Sequence, residues 1–220
     1  MTIRGAIFDI DGTLLDSMGI WDTIATDYLR SCGVTPRPDV DDAVRILSME
    51  DAARYFIRAY GLVRTVPEIV REVGGLVTDF YRLHVQLKPG AAALLAALTR
   101  RGVKLCAATS GDGTLARAAL ERCGVLPCLG RVFTCAEVGR GKDSPEIYEA
   151  ARAYLGTSAR ETAVFEDALH ALQTAKRAGF YTVAVADPSA GRDRAALRAS
   201  ADVYLDSLLD WEGIPWSKPF

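Results

Sequence analysis

Asp9-Ile10-Asp11-Gly12-Thr13 closes a short apolar run near the start of this 220-residue chain, and Thr109-Ser110-Gly111-Asp112-Gly113 closes another. Gly141-Lys142-Asp143 falls between two further segments, and Glu166-Asp167 ends a fourth apolar run. In an open parallel sheet, ligands bind where loops leave the carboxyl ends of strands, so these four clusters are placed to meet. Three or four carboxylates at one sheet edge repel each other and are costly to keep charged. A hard divalent cation removes that cost. Magnesium takes a few carboxylate oxygens together with waters and a substrate phosphate. A lysine and hydroxyl donors then complement a phosphoryl group. On this reading the acids serve the metal, while Lys142 and Thr109 serve the phosphate. Gly12 lets the chain turn sharply after the two aspartates. One of the Asp9 and Asp11 carboxylates can then face phosphorus and the other the leaving group, a division into nucleophile and general acid/base.

The elements that must position these groups are legible in outline. Ala6-Ile7-Phe8, Val103 to Ala108, Arg131 to Cys135, Ala163-Val164-Phe165 and Thr182 to Ala186 read as strands, each followed by a helical pattern. Such alternation predicts an α/β class with a Rossmann-like parallel sheet covered on both faces, joined by right-handed crossovers. Between Ser17 and about Val85 the pattern changes. No strand is evident there, and four or five helices are expected, roughly Gly19 to Cys32, Asp41 to Leu47, Met49 to Tyr60 and Glu68 to His84. Breaks are expected at Gly33-Val34-Thr35-Pro36, Gly61 and Pro67. The domain expectation is a core of residues 1–16 and 86–220 and an inserted helical cap of residues 17–85.

Local signals refine the loops. Ser158 and Glu161 have capping-box spacing. Ser144-Pro145-Glu146 reads as N-cap, first-position proline and first-turn acid, starting a helix just after Lys142. Asp112 reads as a helix cap, Asp143 as a helix cap or a carboxylate beside the metal's ligands, Asp41-Asp42 as a solvated helix start, and Asp16-Ser17 as the hinge into the cap, with Asp16 a neighbour of the site or an N-cap. His84 reads as structural, Trp21 as core packing or pocket lining, and the tail Gly213 to Phe220 as loosely packed.

The order and spacing of these motifs resemble the haloacid dehalogenase superfamily. Asp9-Ile10-Asp11-Gly12-Thr13-Leu14 matches its D-x-D-G-T motif, Thr109 the second-motif Ser/Thr, Lys142 the third-motif lysine, and Glu166-Asp167 the acidic fourth motif. The insert resembles the helical cap of the phosphatase and β-phosphoglucomutase-like branch. The resemblance implies that Asp9 forms an aspartyl-phosphate and that Asp11 protonates the leaving oxygen and then activates water. It implies that Thr109, Ser110 and Lys142 hold the phosphate. Asp9, the backbone carbonyl of Asp11, and Asp167, with help from Glu166, would hold Mg2+. The cap would close over a small phosphorylated metabolite, a sugar phosphate or nucleotide, and supply specificity. Asp11 favours phosphoryl transfer over dehalogenation, because a halide needs no proton, and the absence of lysine from 17 to 85 disfavours Schiff-base chemistry. A hexose-phosphate mutase is the runner-up, weakened by Met49 standing where mutase-like relatives carry an arginine. A non-catalytic phospho-accepting module is a rival from another class, disfavoured by the acceptor on the first strand and the large insert.

Composition sets the remaining expectations. Half the residues are hydrophobic, a quarter charged, and the net charge is -2, which gives no electrostatic reason to expect nucleic acid or an acidic membrane as partner. The longest apolar stretch, Ala91 to Leu98, is far short of the ~20 residues that span a bilayer. No secretory-leader pattern is present, so a cytoplasmic location is expected. A monomer is expected, since caps of this kind commonly work on monomers. Cys32, Cys106, Cys123, Cys128 and Cys135 lack C-x-x-C spacing and are expected to be buried, reduced thiols without zinc.

Overall fold

The computed structural model describes residues 2–45 and 47–214, so the expectations for Ile46 and for the tail beyond Ile214 lie outside the described residues. The chain divides into two compact units, Met1–Ser17 with Val85–Phe220, and Met18–His84. The strands are β1 Gly5–Phe8, β2 Lys104–Thr109, β3 Val132–Thr134, β4 Thr162–Glu166, β5 Tyr181–Val185 and β6 Val203–Leu205. The helices are α1 Ile24–Ser31, α2 Val40–Val44, α3 Met49–Tyr60, α4 Val66–Asp79, α5 Ala91–Arg100, α6 Gly113–Arg122, α7 Cys135–Val138, α8 Glu146–Leu155, α9 Leu169–Arg177 and α10 Arg194–Ser200.

The first unit is an α/β unit with a Rossmann-like sheet in the order β3-β2-β1-β4-β5-β6, all neighbours parallel. Every residue of β1, β4 and β5 is buried. That burial explains why the sequence shows unbroken apolar runs in place of alternation, the mark of a sheet covered on both faces. The order reverses direction between β1 and β4, which makes their carboxyl ends the switch point where ligands are expected. Phe8 pairs with Phe165 across this junction, their rings stacked at 4.4 Å. Strand β6 was not expected. It has only three residues, and its pairing is fixed by Asp202, whose carboxylate accepts from the Thr182 N–H and hydroxyl at 2.9 Å each.

Loop chemistry follows the sequence with shifts of a residue or two. Ser158 accepts from Glu161 N–H in a full capping box, and Asp112 caps α6 by accepting from Thr114 and Leu115 N–H at 2.7 and 3.1 Å. Helix α8 starts at Glu146 with Pro145 as its cap residue, so Ser144 lies one position outside the expected start. Asp143 is exposed, with Oδ1 folded against Gly141 and not onto the helix. All five cysteines are free, but only Cys106 is fully buried, its thiol pushed up to about 12 by that burial. No helix among the described residues is long and apolar enough to cross a membrane.

The second unit is helical among its described residues. A 3-10 turn over Met18–Asp22 precedes α1, so the first helix begins later than expected. Pro67 falls inside the first turn of α4, where a missing N–H costs nothing, so it begins the helix and does not break it. Asp41 is not a solvated helix start. Its carboxylate accepts from Ala25 N–H at 2.9 Å, Thr26 N–H at 3.2 Å and Thr26 Oγ1 at 2.6 Å, capping α1 from another element. Buried Tyr28, Leu29, Phe56 and Ile69 form the core of this unit.

Gly90, at the start of α5, has φ +92°, and a Cβ there would lie 2.5 Å from the backbone of Leu208 and Leu209. Gly90→Ala therefore adds a backbone collision to left-handed strain. We expect it to destabilise the protein by more than about 2 kcal/mol. Gly102→Ala, at φ +74° with no neighbour within 4 Å, should cost about 1 kcal/mol. Thermal and urea unfolding check both, and equal losses would refute the steric contribution.

Candidate active site

The site is built outward from the β1–β4 junction. Asp9 follows β1 directly, and its N–H still donates to Phe165 O at 3.0 Å, so the ladder extends one residue past the strand. The chain then wraps on itself: Leu14 and Leu15 N–H both donate to Ile10 O, at 2.9 and 2.8 Å. Gly12 supplies the φ of +82° that the turn needs. Glu166 ends β4 and Asp167 follows it, so Asp9, Glu166 and Asp167 come from adjacent strand ends.

Their carboxylate oxygens lie within 4.8 Å of one another, and all three residues are buried. Lys142, only 5 % exposed, reaches between them, its ammonium donating to Asp9 Oδ1 and Glu166 Oε1. One cation thus faces three buried acids. Burial pushes Asp9 well above the usual carboxylate range against the opposing pull of Lys142, and Glu166, Asp167 and Asp11 add to the rise. Asp167 is pushed up to about 7 by burial, with Glu166 and Asp187 contributing. Burial alone would lower Lys142, but the charges of Asp9 and Glu166 outweigh it and hold it above the ordinary lysine value. Asp9 Oδ2 is buried with no hydrogen-bond partner. An orphaned carboxylate oxygen beside two further acids is the donor set of a hard divalent cation, so these residues fit one.

The other expected residues fall around this cluster. Thr109 is buried at the end of β2, its Oγ1 accepting from Gly111 N–H at 2.9 Å. Asp11 Oδ2 and Thr109 Oγ1 both lie against Gly111, about 3 Å from where a Cβ would stand. Ser110 is exposed, with its hydroxyl 3.4 Å from Cys135 Sγ, and makes no recorded hydrogen bond to the acids or Lys142. Asp11 does not join the three-carboxylate group. His84 and His170 are exposed, and neither joins that group.

Several supporting residues were missed. Tyr148, on α8, is buried and donates to Glu166 Oε1 at 3.0 Å. Thr13 Oγ1 donates to Asp167 Oδ1 at 3.3 Å. Ser17, fully buried, donates to Asp11 Oδ1 at 2.8 Å. Lys88 donates to Ala186 O at 2.7 Å and sits 2.7 Å from Asp187 Oδ2. That second approach is an ion pair without hydrogen-bond geometry, since the same oxygen has no hydrogen-bond partner. Thr13 stood inside a recognised motif and Ser17 at the expected hinge. Tyr148 and Lys88 gave no signal, because an aromatic at helical spacing and a loop lysine look ordinary in sequence.

Three buried acids and one lysine thus gather at the switch point of a Rossmann-like parallel sheet, the place where such a fold binds ligands. The haloacid dehalogenase-like hydrolase family model matches residues 3–179, and the chain belongs to that family; it is an enzyme. A probable pseudouridine-5'-phosphatase from Drosophila melanogaster is 30% identical, over 96% of this chain and 92% of its own length. Hexitol phosphatase A from Escherichia coli (strain K12) is 29% identical, over 86% of each chain. A haloacid dehalogenase family hydrolase from Deinococcus radiodurans R1, solved with bound phosphate and sodium, shares the fold at a TM-score of 0.74 and 22% identity, covering 96% of this chain and 93% of that one.

A carboxylate whose folded pKa exceeds its unfolded value stabilises fully below the unfolded value, about 4, and loses that contribution as pH rises toward the folded value. With chelator present, the melting temperature should therefore fall between about pH 4 and the folded value of about 7 for Asp167. Asp167→Asn removes one of the titrations and should flatten the fall. Parallel profiles for the two proteins would refute the assignment.

Proposed function

We propose that the protein is a magnesium-dependent phosphatase that hydrolyses a small phosphate monoester through a phospho-Asp9 intermediate. The observation that carries this reading is Asp9 itself. It is buried at a strand end, fixed by the ladder to β4, joined to Lys142 through one oxygen, with the other oxygen unpartnered. A carboxylate so placed is aimed, and only one of its oxygens is occupied.

Asp9 attacks phosphorus and the bond to the ester oxygen breaks. Asp11, whose carboxylate Ser17 holds at 2.8 Å, delivers a proton to the departing oxygen, which leaves as an alcohol. Asp11 then takes a proton from water as the water oxygen bonds to phosphorus, releasing phosphate and restoring Asp9. Lys142 and Thr109 complement the phosphoryl charge, with Ser110 at the rim. Asp9, Asp167 and the Asp11 carbonyl, with Glu166 beside them, would hold Mg2+, which when bound offsets the charge on the acids and on the phosphoryl oxygens. Specificity is assigned to the helical segment 17–85. Relatives named for pseudouridine-5'-phosphate and hexitol phosphates support a small organic monophosphate as the substrate class.

Asp9→Asn keeps the side chain's shape and removes its charge, so turnover should fall at least roughly a hundredfold with the melting temperature close to that of the wild type. Chelation should stop the reaction and added magnesium restore it. A panel of phosphorylated metabolites with release of inorganic phosphate as readout checks both. Substantial turnover by Asp9→Asn, or full activity in metal-stripped protein, would overturn the assignment.

A further inference from the structure

A second pair of opposite charges is buried at the edge of the sheet that carries Asp9, Glu166 and Asp167. Lys88 is 9% exposed and Asp187 7%, with Lys88 Nζ 2.7 Å from Asp187 Oδ2. Strand β5 lies beside β4 with Glu166 opposite Ala184, so Asp167 falls opposite Val185 and Asp187 two residues further on. The ladder continues past the strand, Ala186 N–H donating to Leu205 O at 2.9 Å. At ~3.3 Å per residue and ~4.8 Å between strands, the backbones of Asp167 and Asp187 stand roughly 8 Å apart. Buried charges at that separation are screened little, and the charge of Asp187 adds to the rise at Asp167. Asp187 is nevertheless outside the group of three carboxylates that lie within 4.8 Å of one another.

Each partner is fixed by neighbours of its own. Asp187 Oδ1 accepts from Ser189 N–H at 2.9 Å and from the Ser189 hydroxyl at 2.6 Å. Burial would raise this carboxyl, but Lys88 and Ser189 outweigh it and hold the group below the ordinary carboxylate value, so Asp187 carries its charge. Lys88 donates through Nζ to Ala186 O at 2.7 Å and through its backbone N–H to Leu14 O at 2.8 Å. Leu14 belongs to the turn that carries Asp11 and Thr13, and Thr13 donates to Asp167. Asp187 Oδ2 has no hydrogen-bond partner, so against this oxygen the structure sets the charge of Lys88 and no donor. A buried ion pair returns little net stability, and its position two residues from the level of Asp167 gives this one an electrostatic use.

We propose that Asp187 and Lys88 together set how tightly the acid cluster takes a divalent cation. Asp187 attracts the cation from beyond its ligands, and Lys88 restrains that attraction. The inference rests on the reading of Asp9 and Asp167 as the cation's ligands. Asp187 and Lys88 are positioning residues and not ligands, acting through the charge balance at Asp167.

Metal-stripped wild type, Asp187→Asn, Lys88→Met and the double variant are titrated with magnesium by calorimetry, and their melting temperatures are measured without metal. Asp187→Asn removes the attraction and should weaken magnesium binding by roughly tenfold. Lys88→Met removes the restraint, while Ser189 still holds Asp187, and should tighten binding several-fold. The double variant should bind within about twofold of the wild type. Both single variants strand one buried charge and should melt below the wild type, with the double variant recovering part of the loss. Stability thus moves the same way in the two single variants and affinity moves in opposite ways, which a merely structural pair does not produce. Lys88→Gln replaces Lys88→Met should the latter fail to fold. Weaker binding in both single variants, or no change in either one, overturns the proposal and leaves the cation reading standing. If the wild type itself takes up no magnesium, the cation reading fails and the proposal falls with it.

Discussion

The ammonium of Lys142 is the cation around which the site is organised. Donating to Asp9 and Glu166 in a buried pocket, it lets carboxylates from two adjacent strands stand side by side where burial would otherwise expel one charge or protonate it. A buried ion pair of this kind is weak evidence for stability, because desolvation costs about as much as the attraction returns. Its value is positional. The lysine comes from the loop before α8, the acids from β1 and β4, so a single group ties three segments to one point. It is also insufficient by design, since one positive charge against three acids leaves a deficit, visible in the raised Asp9 and Asp167 and in the unpartnered Asp9 Oδ2. A site balanced by its own residues would have no call for a cation from solution.

Around that centre a layer of hydroxyls sets the directions of the acids. Tyr148 holds Glu166, Thr13 holds Asp167, and Ser17 holds Asp11. Each is a single hydroxyl bond to one carboxylate oxygen, from α8 for Tyr148 and from the segment after β1 for Thr13 and Ser17. Asp9 and Asp11 are treated differently by the backbone. Asp9 sits on an extension of the sheet ladder, while Asp11 lies in the turn stabilised by the Ile10 carbonyl, held through Ser17 at the boundary of the first unit. That difference agrees with the roles proposed for them, since a nucleophile gains from being immovable and a group that gives up and then takes a proton gains from a softer mounting.

The sheet and the acid cluster were readable in advance for one reason. Polar residues at the end of an apolar run interrupt a pattern, so Asp9, Glu166 and Asp167 announce themselves, and a fully buried parallel sheet makes its strands conspicuous. What went unread had no such contrast. Strand β6 is three residues long and depends on Asp202 reaching Thr182 from elsewhere in the chain. Asp41 reads as a surface acid until α1 is seen to begin against it. Tyr148 and Lys88 act through tertiary neighbours that no local pattern encodes, and the position of Ser144 and Pro145 differed by one residue because cap residues and first-turn residues share the same chemistry.

The helical unit poses the converse problem. It has a cavity lined in part by Trp21, Leu47, Met49 and Phe56, residue types that a periodicity argument assigns to the core wherever they fall. Phe56 does go to the core, at 3% exposure, while Trp21, three residues from buried Ile24 on neighbouring helical turns, stays 40% exposed. Spacing alone cannot separate the two, because both face the same side. Helix α2, which packs against α1, is only five residues long. Trp21, Leu47 and Met49 stay exposed beside the cavity, and Arg45, which also lines it, is paired with Asp22 and Asp42. The two units are therefore built on opposite principles, uncompensated charge at the sheet edge of one and uncovered apolar surface in the other.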